Sequence, residues 1–142
     1  MKKTLLTLAL IICAVLTGTA QDVLGKWKTI DDQTGDAKSI VEIYKHDGKI
    51  YGKVIEILDP TKQKAVCKDC PDEAKGKPIL GLVILKGLEK DGNEYSGGTI
   101  LDPNSGKVYK CLIALEDANK LKVRGYVGFS LLGRSQYWHR VK

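Results

Sequence analysis

Arginine and aromatic residues recur in the last third of the chain, in a pattern that could bind a small ligand. The set comprises Tyr109, Arg124, Tyr126, Arg134 and Trp138. A guanidinium group holds an anion through charge-assisted hydrogen bonds, and aromatic rings offer flat apolar surface. Stacked arginine–aromatic pairs on neighbouring strands also stabilise strand register without any ligand. We predict these five residues as the ligand-binding set and keep a purely structural ladder as the alternative.

The Cys67-x-x-Cys70 pair is the second feature that could do chemistry. Thioredoxin-like redox sites place such a pair at the start of a helix in a βαβ unit, which lowers a thiol pKa. Here the pair lies in a polar stretch without that context. A structural disulfide is therefore favoured over redox catalysis.

Metal and hydrolytic chemistry have little support in the sequence. His46 and His139 are the only histidines, and neither belongs to a cluster with metal-ligand spacing. No Gly-x-Ser-x-Gly motif occurs. Asp102 precedes a proline in a tight turn, where a carboxylate commonly accepts hydrogen bonds from backbone amides. We predict no catalytic residue, no metal and no cofactor, and keep a hydrolase using Asp102 as a weaker alternative.

The N-terminus predicts export. Lys2 and Lys3 precede an apolar run over residues 4–17, and small residues follow up to Ala20. This pattern is typical of a secretory signal peptide over residues 1–20, cleaved after Ala20. A retained anchor and a lipoprotein are the alternatives, although the run is shorter than a membrane-crossing helix needs. We expect a periplasmic or secreted protein with no membrane span in its mature form.

The remaining residues, 21–142, are enough for one domain. They carry 21 basic and 17 acidic residues, a net charge of +4 that is scattered along the chain. Such a composition excludes a disordered chain and a multidomain enzyme. Export also removes the usual nucleic-acid partners, so no nucleic-acid function is predicted.

Three cysteines remain after cleavage: Cys67, Cys70 and Cys111. An oxidising compartment favours disulfides, and an odd number leaves one thiol over. We predict a local Cys67–Cys70 bridge, with Cys111 packed in the core as a small apolar residue. A bridge from Cys111 to one member of the pair is the alternative.

The chain reads as strands separated by turns. Asp47-Gly48 is a strong hairpin signal, and Leu121 and Val123 alternate with charged residues as on a half-buried strand. A long polar connection precedes Pro78 and contains the cysteine pair. The predicted strands cover residues 24–30, 40–44, 50–58, 79–88, 94–101, 107–115, 120–127 and 133–141.

Eight strands joined mostly by short turns predict an all-β, antiparallel up-and-down meander. Closing the meander into a barrel removes its two exposed edges. An eight-stranded barrel is either filled by side chains or holds one small ligand. A β-sandwich is the structural alternative.

Gly25 and Trp27 open the first strand, and Arg140 ends the last one. This arrangement resembles the lipocalin and calycin barrels, in which the arginine packs across the tryptophan. The resemblance implies a structural role for these three residues, which would close one barrel end.

A closer resemblance spans nearly the whole chain after the leader, to the secreted bacterial family called domain of unknown function 2147. The motifs that carry it include Gly25-x-Trp27, Cys67-x-x-Cys70, Gly97-Gly98-x-Ile100-x-Asp102-Pro103, Leu121-x-Val123-Arg124-Gly125-Tyr126 and Gly133-Arg134-x-Gln136-x-Trp138-x-Arg140. The resemblance implies an exported lipocalin-like barrel. It implies no established activity.

We therefore expect a non-enzymatic protein that binds a small anionic or amphipathic molecule in the cell envelope. The alternative is a module that contacts another envelope protein through the loop containing Cys67 and Cys70.

Overall fold

The computed structural model describes residues 22–129 and 131–142. The predicted signal peptide and its cleavage site lie outside the described residues. Eight β-strands run through the rest: β1 Gly25–Ile30, β2 Ala37–His46, β3 Lys49–Ile57, β4 Val83–Asp91, β5 Glu94–Leu101, β6 Val108–Asp117, β7 Lys120–Tyr126 and β8 Gly133–Arg140.

The strands form one closed antiparallel barrel. Each strand pairs with the next along the chain, and β1 closes the ring by pairing with β8. Trp27 lies opposite Arg140 in that closing pair. The predicted eight-stranded lipocalin-like barrel is confirmed, and closure explains why no sheet edge needs covering.

Local turn chemistry sets the hairpins. Asp47 and Gly48 both have positive φ, 49° and 79°, as a two-residue turn that matches strand twist requires. Seven predicted strands agree with the structure to within three residues at each end.

The start of β4 was predicted wrongly. Residues 79–82 form a turn, and the strand begins at Val83. Gly81 has a φ of 90°, which an ordinary strand residue does not adopt. Ile79 and Leu82 still pack on the core from this turn, whereas Leu80 between them is exposed.

The long connection between β3 and β4 is held against the barrel. Cys67 and Cys70 are buried and form the predicted disulfide. Gly106 in the β5–β6 turn approaches the backbone of Asp69 so closely that a Cβ there would lie 1.9 Å from its carbonyl oxygen. The disulfide loop is therefore docked on the β5–β6 turn.

Inward-facing side chains form the core of the barrel. The period of two along each strand turns one set of residues inward. The largest of the fully buried side chains are Trp27, Trp138, Ile43, Leu85, Leu88 and Ile113. Cys111 is buried among them as a free thiol, as predicted, so the alternative bridge to Cys111 is wrong.

Candidate functional site

One end of the barrel is shut by Trp27 and Arg140. Trp27 is fully buried, and its indole Nε1 donates to the carbonyl oxygen of Val23 at 2.9 Å. The Arg140 guanidinium lies over the Trp27 ring, with Cζ 4.3 Å from the ring centroid. It also donates to the carbonyl oxygens of Ala118, Leu24 and Asp22 at 2.8–3.0 Å. One side chain thus ties the N-terminal segment to the β6–β7 turn across the end of the barrel.

The other end is open and leads into a cavity of about 970 Å³. Connections β1–β2, β3–β4, β5–β6 and β7–β8 surround the mouth, because alternate connections of an up-and-down barrel lie at the same end. The volume is in the range of sites that enclose most of a small molecule.

The deeper cavity wall is apolar. Val54, Ile84 and Val123 are buried and belong to three different strands. Trp138 adds its ring to this wall, and Ile100 lines the cavity one residue from the mouth end of β5. Moving a hydrocarbon chain or ring from water to this wall is favourable, because the move buries apolar surface.

A polar band lies above this wall. Thr29 and Ser39 face each other across β1 and β2, and their hydroxyl oxygens are 2.8 Å apart. Tyr109 lines the cavity opposite Ile100 near the mouth, and Gln136 lies opposite Val123 within the apolar part. The cavity therefore becomes more polar towards its mouth.

Ion pairs surround the mouth. Arg134 on β8 contacts the Asp32 carboxylate, and Lys38 Nζ lies 3.6 Å from Asp31 Oδ2. The backbone amides of Gln33 and Thr34 donate to the Asp31 carboxylate and lower its pKa. The charged residues in the described cavity lining are Asp31, Asp32, Asp36, Asp59, Asp102, Lys38, Lys62 and Arg134. Aspartates outnumber cations in this set, so the charged side chains around the mouth carry a net negative charge.

The structure divides the predicted ligand set. Tyr109, Arg134 and Trp138 line the cavity. Arg124 does not, because its neighbour Val123 on β7 is the residue that faces inward. Arg124 donates instead to the Ser135 hydroxyl on the outer surface at 3.1 Å. Arg124 therefore faces away from the space that a ligand in the cavity would occupy.

Tyr126 has the same outward parity as Arg124. It is the last residue of β7 and borders the mouth. Its place is the rim rather than the interior of the cavity.

Gly125 is a cavity residue that the ligand prediction omitted. It lines the cavity on β7, and a Cβ built there would lie 3.4 Å from Tyr109 Cβ and 3.5 Å from Ile100 Cγ2. Those are ordinary van der Waals distances, so the missing side chain leaves usable space. Its parity with Leu121 and Val123 was the signal that could have found it.

Trp138 has an unusual polar atom. The residue lines the cavity, and its indole Nε1 is buried without a hydrogen-bond partner among the described residues. Buried donors are nearly always paired. The nitrogen belongs to a residue of the cavity wall but is itself buried.

A family model described as "Uncharacterized protein conserved in bacteria (DUF2147)" matches residues 25–140. The chain belongs to this family. The resemblance predicted from the motifs is thereby confirmed, and the match covers every strand of the barrel.

Among solved structures, the DUF2147 chain is similar to protein HP1028 from the human pathogen Helicobacter pylori, described as belonging to the lipocalin family. The TM-score is 0.74 at 24% sequence identity, over 85% of this chain and 84% of that chain. At this identity the similarity shows a shared lipocalin-like fold. A search of curated proteins finds no match.

Asp102 of the DUF2147 chain is engaged within its own turn. Its carboxylate accepts hydrogen bonds from the backbone N–H of Asn104 at 2.9 Å and from the Ser105 hydroxyl at 3.0 Å. Its backbone pairs with Gly106 and Lys107. These contacts stabilise the β5–β6 turn at the cavity mouth.

No three histidine, cysteine, aspartate or glutamate side chains in residues 22–129 and 131–142 are grouped to hold a metal ion. In the same part of the chain, no helix has the length and apolar character to cross a membrane.

Cys111 is expected to be chemically inert in the folded protein. Burial raises the pKa of its thiol to about 12. A thiol-specific reagent at pH 8 should leave native Cys111 unlabelled and label it fully in guanidinium chloride. Because the folded pKa exceeds the unfolded value, this group's contribution to stability is present below about pH 9 and is lost as the pH rises towards 12. Rapid labelling of the native protein would contradict this.

Proposed function

We propose that this protein binds one small amphipathic molecule in the barrel, with the apolar part against the deep wall and the polar head at the mouth. The observation that carries the proposal is the open cavity of about 970 Å³, apolar at depth and polar at its entrance. Burial of apolar surface supplies the main driving force for such binding.

The charges at the mouth favour a neutral or zwitterionic head. Arg134 is the predicted anion contact, but it is already paired with Asp32. Lys38 is paired with Asp31 in the same way. An anionic head would have to compete with these aspartates, whereas a neutral head needs only hydrogen-bond partners.

We also propose that the protein acts in the cell envelope. The leader over residues 1–20 supports export to the cell envelope. The buried disulfide between Cys67 and Cys70 is consistent with an oxidising compartment.

The two tryptophans make binding measurable. Trp138 lines the cavity, whereas Trp27 is buried at the closed end. We expect dodecanol, below its solubility limit, to change tryptophan emission in a saturable way with one molecule per chain. The change should persist in Trp27→Phe and vanish in Trp138→Phe, although calorimetry should still detect binding in Trp138→Phe.

Head-group preference is tested with three probes of equal chain length. Dodecanol should bind at least as tightly as dodecanoate and dodecyltrimethylammonium. Tighter binding of dodecanoate that is lost in Arg134→Ala would instead establish an anionic ligand. No saturable binding of any of the three would refute carriage of an amphipathic molecule.

A further inference from the structure

The β7–β8 loop, described at residues 127–129 and 131–132, exposes an unusual amount of apolar surface. Val127 is 64% exposed, Phe129 77%, Leu131 88% and Leu132 67%. Exposed apolar clusters of this kind mark interaction sites. The neighbouring β1–β2 connection, residues 31–36, is polar throughout.

The loop does not turn these side chains into the cavity. Val127 and Leu132 border the mouth, but Phe129 and Leu131 are not part of the cavity lining. Backbone hydrogen bonds from Leu132 to Phe129 and from Val127 to Leu132, at 2.9 and 3.2 Å, hold the turn. Phe129 and Leu131 therefore form an outward-facing apolar tip.

A basic surface adjoins this tip. Three cations lie on the outward faces of β6 and β7: Lys110, Lys122 and Arg124. Their side chains face outward because the adjacent Cys111 on β6 and Val123 on β7 face inward. Lys110 is paired in register with Tyr126, immediately before the loop. We call these three cations the basic wall.

Few acids oppose the basic wall on its own strands. In β6, β7 and β8, all of which the structure describes, the acidic residues are Glu116 and Asp117. Both lie at the end of β6 away from the mouth. The mouth aspartates belong to the other connections at the open end.

We propose that the β7–β8 loop docks on an anionic lipid bilayer, with Phe129 and Leu131 inserted among the acyl chains and the basic wall facing lipid phosphates. An apolar tip next to cations matches the two forces that hold peripheral proteins on membranes. The tip projects and is not a groove, so it fits a deformable surface better than a protein ridge. The barrel docks tilted towards β6–β8, with its mouth beside the lipid. This proposal stands apart from ligand binding in the cavity.

The test is co-sedimentation with phosphatidylcholine vesicles, with and without phosphatidylglycerol. It uses the chain from Gln21, which contains the whole barrel and lacks the apolar leader. Phe129→Ser combined with Leu131→Ser should lower the partition coefficient about tenfold or more. Leu80→Ser is the matched control, because Leu80 is exposed but lies on the β3–β4 connection; it should bind like the parent.

Charge is tested separately. Lys110→Gln and Lys122→Gln should each weaken binding about fivefold on vesicles with phosphatidylglycerol and should not change binding to phosphatidylcholine alone. Dodecanol binding should stay unchanged in the Phe129/Leu131 variant, so failure of docking and failure of ligand binding can be told apart.

Three results would overturn the proposal. In the first, the parent protein does not sediment with either vesicle. In the second, the double serine variant sediments as well as the parent. In the third, sedimentation equilibrium shows a concentration-dependent dimer that the same double change abolishes, which would assign the tip to a second copy of the chain.

Discussion

Replacing Gly125 with tryptophan is expected to abolish ligand binding while leaving the barrel folded. Gly125 lines the cavity, and a Cβ at this position would have only ordinary contacts with Tyr109 and Ile100. An indole there would project into the space that an apolar ligand needs. We expect the affinity for dodecanol to fall about a hundredfold or more, roughly 3 kcal/mol. Isothermal titration calorimetry measures this without relying on tryptophan emission.

Gly125→Ala is the matched control. One methyl group at van der Waals distance removes little volume, so binding within about threefold of the parent is expected. Far-ultraviolet circular dichroism and the urea midpoint establish that both variants are folded. If folded Gly125→Trp binds dodecanol as tightly as the parent, the ligand does not occupy this part of the barrel and the proposed site is wrong.

Removing the Arg140 side chain is expected to lower the free energy of unfolding strongly. The guanidinium stacks on Trp27 and bonds to three carbonyl oxygens on two separate segments. Hydrogen bonds that involve a charged group and a partly buried cation–π contact together predict a loss of about 3–4 kcal/mol in Arg140→Ala. For a domain of this size the thermal midpoint should fall by roughly 10–20 °C.

Arg134→Ala on the same strand is the control for Arg140→Ala. Arg134 is 65% exposed and forms a surface pair with Asp32, so its removal should change the unfolding free energy by about 0.5 kcal/mol or less. Arg140→Lys should fall between the parent and Arg140→Ala, because an ammonium group cannot reproduce the planar, multiply bonded stack. Equal urea midpoints for Arg140→Ala and Arg134→Ala would show that the closed end does not depend on Arg140.

The barrel itself was predictable because its signals are local. Alternation of apolar and polar residues marks each strand within a few residues, and pairs such as Asp47-Gly48 mark the turns between them. Once eight strands follow one another through short turns, few topologies remain. The resemblance to lipocalin barrels also implied the tryptophan–arginine closure, and the stacking of Arg140 on Trp27 confirms it.

The candidate site was only partly predictable. The alternation along β7 places Val123 inward and Arg124 outward. The ligand prediction included Arg124 because of its residue type and not because of its position in this alternation. Gly125 was overlooked because a cavity residue without a side chain has no chemical signature. In the sequence, the apolar tip at Phe129 and Leu131 cannot be distinguished from an ordinary connection between strands. The reason is that residue type alone does not tell whether a leucine is exposed or buried.

The sequence by itself therefore determined the strand order, the closure, the local disulfide and the family, since these depend on short-range pattern and on motifs. Tertiary structure alone decided that the lumen stays open on one side, that Asp32 meets Arg134 at its rim, and that the last loop points its apolar residues outward. Those properties depend on how side chains from distant strands share one enclosed volume, and a linear pattern contains no measure of that volume.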